Sequence, residues 1–147
     1  MRSTRIFPGL ALPLLVLAAV ACSGGDSPTA NGTFPSTAFQ TFATDKGQLN
    51  VELRLSPQPP VAGLDEVQYV VTDMATGAPV DGLDIAIVPW MPAMGHGASV
   101  TPILQPPEGN GVYHFTNVSL FMAGEWQLRT KFSGQVTDSA APTFSVP

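Results

Sequence analysis

Trp126-Gln127-Leu128-Arg129-Thr130-Lys131-Phe132 alternates without a break: Trp126, Leu128, Thr130 and Phe132 take one parity, and Gln127, Arg129 and Lys131 the other. A period of two places successive side chains on opposite faces, which is the pattern of a strand with one buried and one wet face. The same reading applies upstream. Val51, Leu53 and Leu55 alternate against Asn50, Glu52 and Arg54, and Val67, Tyr69 and Val71 repeat the pattern. Leu83, Ile85 and Ile87 share a face in a third stretch, Leu83 to Val88. A short run from Ser99 to Leu104, then Val112 to Thr116 and Thr143 to Val146, complete the set.

Between these runs lie segments rich in residues that stop regular structure: SPQPPVAG at Ser56–Gly63, DMATGAP at Asp73–Pro79, and PPEGNG ending at Gly111. No stretch carries a helical hydrophobic period and no segment repeats. Short alternating strands at intervals of about ten residues, separated by Pro and Gly, predict an all-β, immunoglobulin-like antiparallel sandwich. Its large aromatic centre is expected at Trp126 and Tyr113, because the only cysteine, Cys22, excludes an internal disulfide. His114 alternates with Tyr113 and Phe115 and is expected on the surface.

The 147 residues suffice for one such domain once an export signal is set aside. Arg2 and Arg5 precede an uncharged stretch, Ile6 to Ala21, interrupted by Pro8 and Pro13. That is a charged leader followed by an apolar core too short and broken to span a bilayer. It ends at Ala19-Val20-Ala21-Cys22, which resembles the lipobox of bacterial lipoproteins, although Ala19 stands where Leu is usual. We therefore expect a lipoprotein signal peptide over 1–21 and a lipid on the Cys22 thiol, with ordinary cleavage before an unmodified Cys22 as the alternative. Residues 22–38 form a polar tether rich in Gly, Ser, Thr and Pro, and 39–147 the sandwich domain. Ser23 after the cysteine favours outer over inner membrane sorting. The net charge of −5, which becomes −7 without Arg2 and Arg5, argues against nucleic acid as a partner.

The densest chemistry lies in Trp90-Met91-Pro92-Ala93-Met94-Gly95-His96-Gly97. Thioether sulfur is a soft donor that suits Cu(I), and imidazole suits copper generally, so Met91, Met94 and His96 on one loop form a candidate copper set. A second methionine, Met122, lies in Phe121-Met122-Ala123-Gly124-Glu125-Trp126. Methionine is also an adaptable core filler, so packing competes with ligation at each of these positions. Met74 reads as a bystander, and Trp90 either shields a bound ion or packs.

Taken together, MPxMxH and MxGxW, separated by a Gly-Val-Tyr turn and strand, resemble the YtkA-like domains, which are related to FixH-type proteins. The similarity runs from about Leu49 to Phe132 and covers Met91, Pro92, Met94, His96, Gly111, Tyr113, Met122, Gly124 and Trp126. It implies an extracytoplasmic β-sandwich, often behind a membrane anchor or lipoprotein signal, with links in some members to copper supply for respiratory oxidases. FixH-type proteins carry a membrane helix where this chain has its export signal.

Catalysis is not expected. There is no nucleophile elbow, Cys22 is assigned to lipid, and His96 and His114 are too far apart in sequence to make a hydrolytic zinc set by themselves. Two functions stay open: a copper chaperone or accessory, with Cu(I) held by Met91, Met94, His96 and Met122 and a copper-requiring respiratory or efflux protein as partner; or a metal-free interaction module of the cell envelope, with Trp90, Met91 and Met94 as apolar anchors.

Overall fold

The alternating stretches pair with one another. In the computed structural model, which describes residues 33–147, ten strands form two antiparallel sheets. They are β1 (Gln40–Ala43), β2 (Leu49–Ser56), β3 (Gly63–Asp73), β4 (Asp84–Met91), β5 (His96–Gly97), β6 (Ile103–Leu104), β7 (Val112–Leu120), β8 (Gly124–Ser133), β9 (Asp138–Ala140) and β10 (Thr143–Val146). The first sheet has the order β1-β2-β3-β7-β6 and the second β10-β8-β4-β5, with β9 also on β8. The described residues contain no helix, hence none long and apolar enough to cross a membrane. The residues expected to form a signal peptide, Cys22 and the expected tether up to residue 32 lie outside the described residues.

Each strand buries the parity that the sequence marks as apolar. Val51, Leu53 and Leu55 of β2, Val67, Tyr69 and Val71 of β3, and Trp126, Leu128, Thr130 and Phe132 of β8 all face the space between the sheets. Burying a Leu, Val or Phe side chain contributes about 1.5–3 kcal/mol each, and this supports the domain where a disulfide cannot. The centre is Tyr69. Its ring lies 5.6 Å from Phe115, 5.9 Å from Phe42 and 6.5 Å from Phe132, so it joins both sheets. Its hydroxyl is 2.9 Å from Thr130 Oγ1 across the core, and burial pushes the phenol far above its ordinary pKa.

That centre differs from the one expected at Trp126 and Tyr113. Trp126 is buried, but near the end of the sandwich where β8 begins and beside β10. Tyr113 is a staple: its hydroxyl accepts the Leu83 amide at 3.0 Å and donates to the Val80 carbonyl at 2.8 Å, pinning the β3–β4 crossing. Other differences follow from weak local signals. The run at Ser99–Leu104 pairs only at Ile103–Leu104, because the chain is crossing there from one sheet to the other. The two residues of β5 are too few to show a period.

His114 does point away from Tyr113 and Phe115, yet it is only 2 % exposed. Phe34 covers it edge-on at 5.1 Å, and its Nε2 lies 2.8 Å from Glu66 Oε2. Thr37, also before β1, accepts a hydrogen bond from Gln58 Nε2 at 3.1 Å. The last part of the stretch read as tether is therefore in contact with the domain.

Candidate functional site

The two methionine motifs sit on neighbouring turns at one end of the second sheet. β4 and β8 pair from Asp84↔Ser133 to Trp90↔Gln127, so the C-terminal end of β4 and the N-terminal end of β8 meet there. Beyond Met91 the chain reverses tightly: the amides of Met94 and Gly95 both donate to the Met91 carbonyl, at 3.2 and 3.0 Å. Gly95 has φ +67°, which a side-chain-bearing residue adopts at a cost. The turn returns as β5, placing His96 directly opposite Met91 and Gly97 opposite Trp90.

Residues opposite one another in an antiparallel pair project to the same face, with Cβ atoms about 4.5–5.5 Å apart. Met91 and His96 therefore leave the ladder on the same face from directly opposed positions. The His96 ring meets a backbone carbonyl that selects one tautomer of the neutral imidazole. Its Nδ1 is 3.2 Å from the Gly97 carbonyl, which can only accept, so Nδ1 carries the proton and Nε2 keeps its lone pair.

The second motif has a matching internal logic. Trp126 Nε1 donates to the Met122 carbonyl at 2.8 Å, so the indole closes the turn four residues behind it. Gly124, with φ +131°, leaves room for the first motif: a Cβ there would stand 3.1 Å from the Met91 methyl. Met-x-Gly-x-Trp is thus a turn closed by its tryptophan and opened by its glycine to admit Met91.

The four methionine and histidine candidates take different positions. Met91 is 4 % exposed and packs into the core; Met94 is 54 % and Met122 42 % exposed, and His96 is also exposed. Three of the four candidates are thus accessible and one is buried. Trp90 faces outward from β4, away from Met91, and stacks under Arg129, so it does not shield this end from water. Met74 is exposed in the β3–β4 connection.

Among the described residues no group of three or more His, Cys, Asp or Glu side chains is arranged to hold a metal ion. His114 shows why its carboxylate neighbours do not make one. Glu66 meets Nε2, whereas Glu108 lies 4.0 Å from Nδ1 on the other edge of the ring. One ion cannot reach both carboxylates together with the imidazole.

With this geometry established, the comparison with known proteins decides the family. A family model for YtkA-like proteins matches residues 45–131, more than half of the chain. The chain belongs to the YtkA-like family. Neither a curated protein nor a solved structure matches it. The matched span of this YtkA-like protein contains both methionine turns and five of the seven residue pairs of the ladder between them.

Sequence reasoning missed one group near this end. Asp65 lies on the inner face of β3, opposite Val118 and two residues from the strand's start, and is 1 % exposed. Neither carboxylate oxygen has a hydrogen-bond partner. Burial pushes its pKa up to about 6; the Val61 backbone amide faces it and lowers the value in part, from outside hydrogen-bonding geometry. Its inward parity, shared with Val67, was the available signal.

A carboxyl that binds its proton more tightly in the folded than in the unfolded chain makes stability fall as pH rises. For Asp65 the fall runs from the unfolded value of 3.8 up through about 6. Asp65→Asn should therefore be more stable than the wild type above that interval, by on the order of 1–3 kcal/mol, and nearly equal to it below. Denaturant midpoints measured on both sides of the interval check this; an equal difference at both would contradict it.

Proposed function

We propose that this YtkA-like protein is an exported, lipid-anchored, non-catalytic module that binds Cu(I) through Met94, His96 and Met122 around the buried Met91, and serves as a chaperone or accessory in copper supply. The observation that carries this reading is the pairing of Met91 with His96, together with the contact of the Met91 methyl against Gly124. These join the two motifs at one end of the sheet. A soft monovalent ion is favoured over a hard one by thioether donors, and the free Nε2 of His96 adds a donor whose ring is oriented by a backbone carbonyl. The bound ion would supply transferable Cu(I); the protein's share is to offer weakly held, exposed ligands over a rigid base.

A second reading is favoured by the apolar surroundings. Phe121 is exposed beside Met122, and Val61 and Leu64 are exposed around the start of β3, which pairs with Ser119 and Leu120, as in a surface that docks onto another envelope protein without metal. Copper affinity separates the two. Titration of the full-length chain with Cu(I) against a chromophoric competitor should show one tight site, weakened at least about tenfold, or 1.4 kcal/mol, by Met94→Ala, His96→Ala and Met122→Ala together. Unchanged affinity in that variant would reject the metal reading. All three side chains are exposed, so the fold should survive their loss.

The anchor rests on Ala19-Val20-Ala21-Cys22 behind the charged and apolar leader. Labelled palmitate should enter the wild-type chain expressed in a bacterial host and not the Cys22→Ser chain. Equal labelling of the two would overturn lipidation at Cys22.

A further inference from the structure

The outward face of the second sheet carries a feature that the methionine end does not use. Two cavities, about 640 and 430 Å³, share Ala86, Lys131 and Ser139 and so form one groove along β8. Its floor is Ala86, Val88 and Trp90 of β4, and Arg129 and Lys131 rise from β8 beside them. The far wall comes from β9 and the β1–β2 turn.

Charge is distributed unevenly over this domain. The described residues include ten Asp and Glu but only four Lys and Arg: Lys46, Arg54, Arg129 and Lys131. Arg54 is paired with Glu52 at 2.8 Å, on the other sheet. Lys46 lines the groove and gives its ammonium to the Thr137 carbonyl at 2.8 Å. Arg129 and Lys131 make no ion pair among the described residues. Arg129 is nonetheless held in place: its guanidinium lies 4.0 Å over the Trp90 ring, and its Nε donates to Gln127 Oε1 at 3.0 Å. An acidic domain therefore presents two cations side by side, neither in an ion pair and one already oriented, over an apolar floor, while Asp84 and Asp138 line the end of the groove away from Arg129.

We infer that this groove binds an extended, acidic polypeptide segment of a partner protein, with carboxylates at alternate positions. Arg129 and Lys131 are two residues apart on one strand, so their bases stand about 6.6–6.8 Å apart on the same face. Alternate side chains of an extended chain have that same repeat, so two carboxylates can meet both cations while the intervening backbone stays extended. Apolar side chains of the segment would lie on Val88 and Trp90. Asp45, fixed on the opposite wall by Ser139 Oγ at 2.6 Å, repels carboxylates from that side and directs them to the Arg129–Lys131 row. The groove is independent of the copper reading, because Trp90 and Met91 alternate and face opposite sides of the sheet.

The test uses the full-length chain and a fluorescently labelled synthetic peptide of alternating Glu and Val, followed by anisotropy. Saturable binding is expected, weakened at least about tenfold by Arg129→Glu with Lys131→Glu, and unaffected by Arg54→Glu. A peptide of the same composition with its glutamates adjacent should bind more weakly. Circular dichroism checks the fold, and Arg129→Gln with Lys131→Gln replaces the reversal variant if that one fails to fold. Absence of saturable binding, equal binding by the groove variants, or displacement by inorganic phosphate as effective as by free peptide would each overturn the assignment.

Discussion

The ladder between β4 and β8 is the constraint on which the rest depends. Seven residue pairs, from Asp84↔Ser133 to Trp90↔Gln127, fix which side chains of both strands face the core and which face solvent. Inward go Ile85, Ile87 and Met91 to meet Leu128, Phe132 and Trp126; outward go Ala86, Val88 and Trp90 beside Arg129 and Lys131. A slip of one residue would exchange the two sets on the moving strand. The same register brings the turn after β4 against the turn before β8, so one set of backbone hydrogen bonds positions both the methionine end and the outer groove.

Stability has to come from packing, since a single cysteine cannot form an internal disulfide. The ring of Tyr69 among Phe42, Phe115 and Phe132 ties sheet to sheet, and Tyr113 ties the β3–β4 crossing to the core. Against this stands Asp65, a carboxyl buried with no hydrogen-bond partner. Its position near the start of β3, where β3 and β7 change register between Asp65 and Val67, puts the least satisfied polar group of the inner face toward the end that carries the methionine turns. A core this apolar elsewhere can carry that cost.

Much of the sandwich was legible because alternation is a direct imprint of a half-buried strand. β2, β3, β4 and β8 could be read from Val51, Val67, Ile85 and Trp126 onward, and both turn motifs could be located by their Pro and Gly. What could not be read depends on partners distant in sequence. The parity of His114 was correct, but its burial comes from Phe34, eighty residues earlier. The centre at Tyr69 rather than Trp126 is set by where the two sheets cross. In the candidate site the residue types were legible, and Met91 shares the inward parity of Ile85 and Ile87, whereas the fit of its methyl against Gly124 was not, because Gly124 lies thirty-three residues away on another turn. The groove was invisible for the same reason: Arg129 and Trp90 are brought together only by the ladder.

The central claim is that this register assembles soft and imidazole donors at one end of the second sheet. X-ray absorption at the copper edge of the Cu(I)-loaded full-length chain tests it most directly. The account predicts sulfur and nitrogen scatterers together, with the nitrogen contribution lost in His96→Ala and the sulfur reduced in Met94→Ala with Met122→Ala. A shell of nitrogen and oxygen only, or one unaltered by these substitutions, would contradict it.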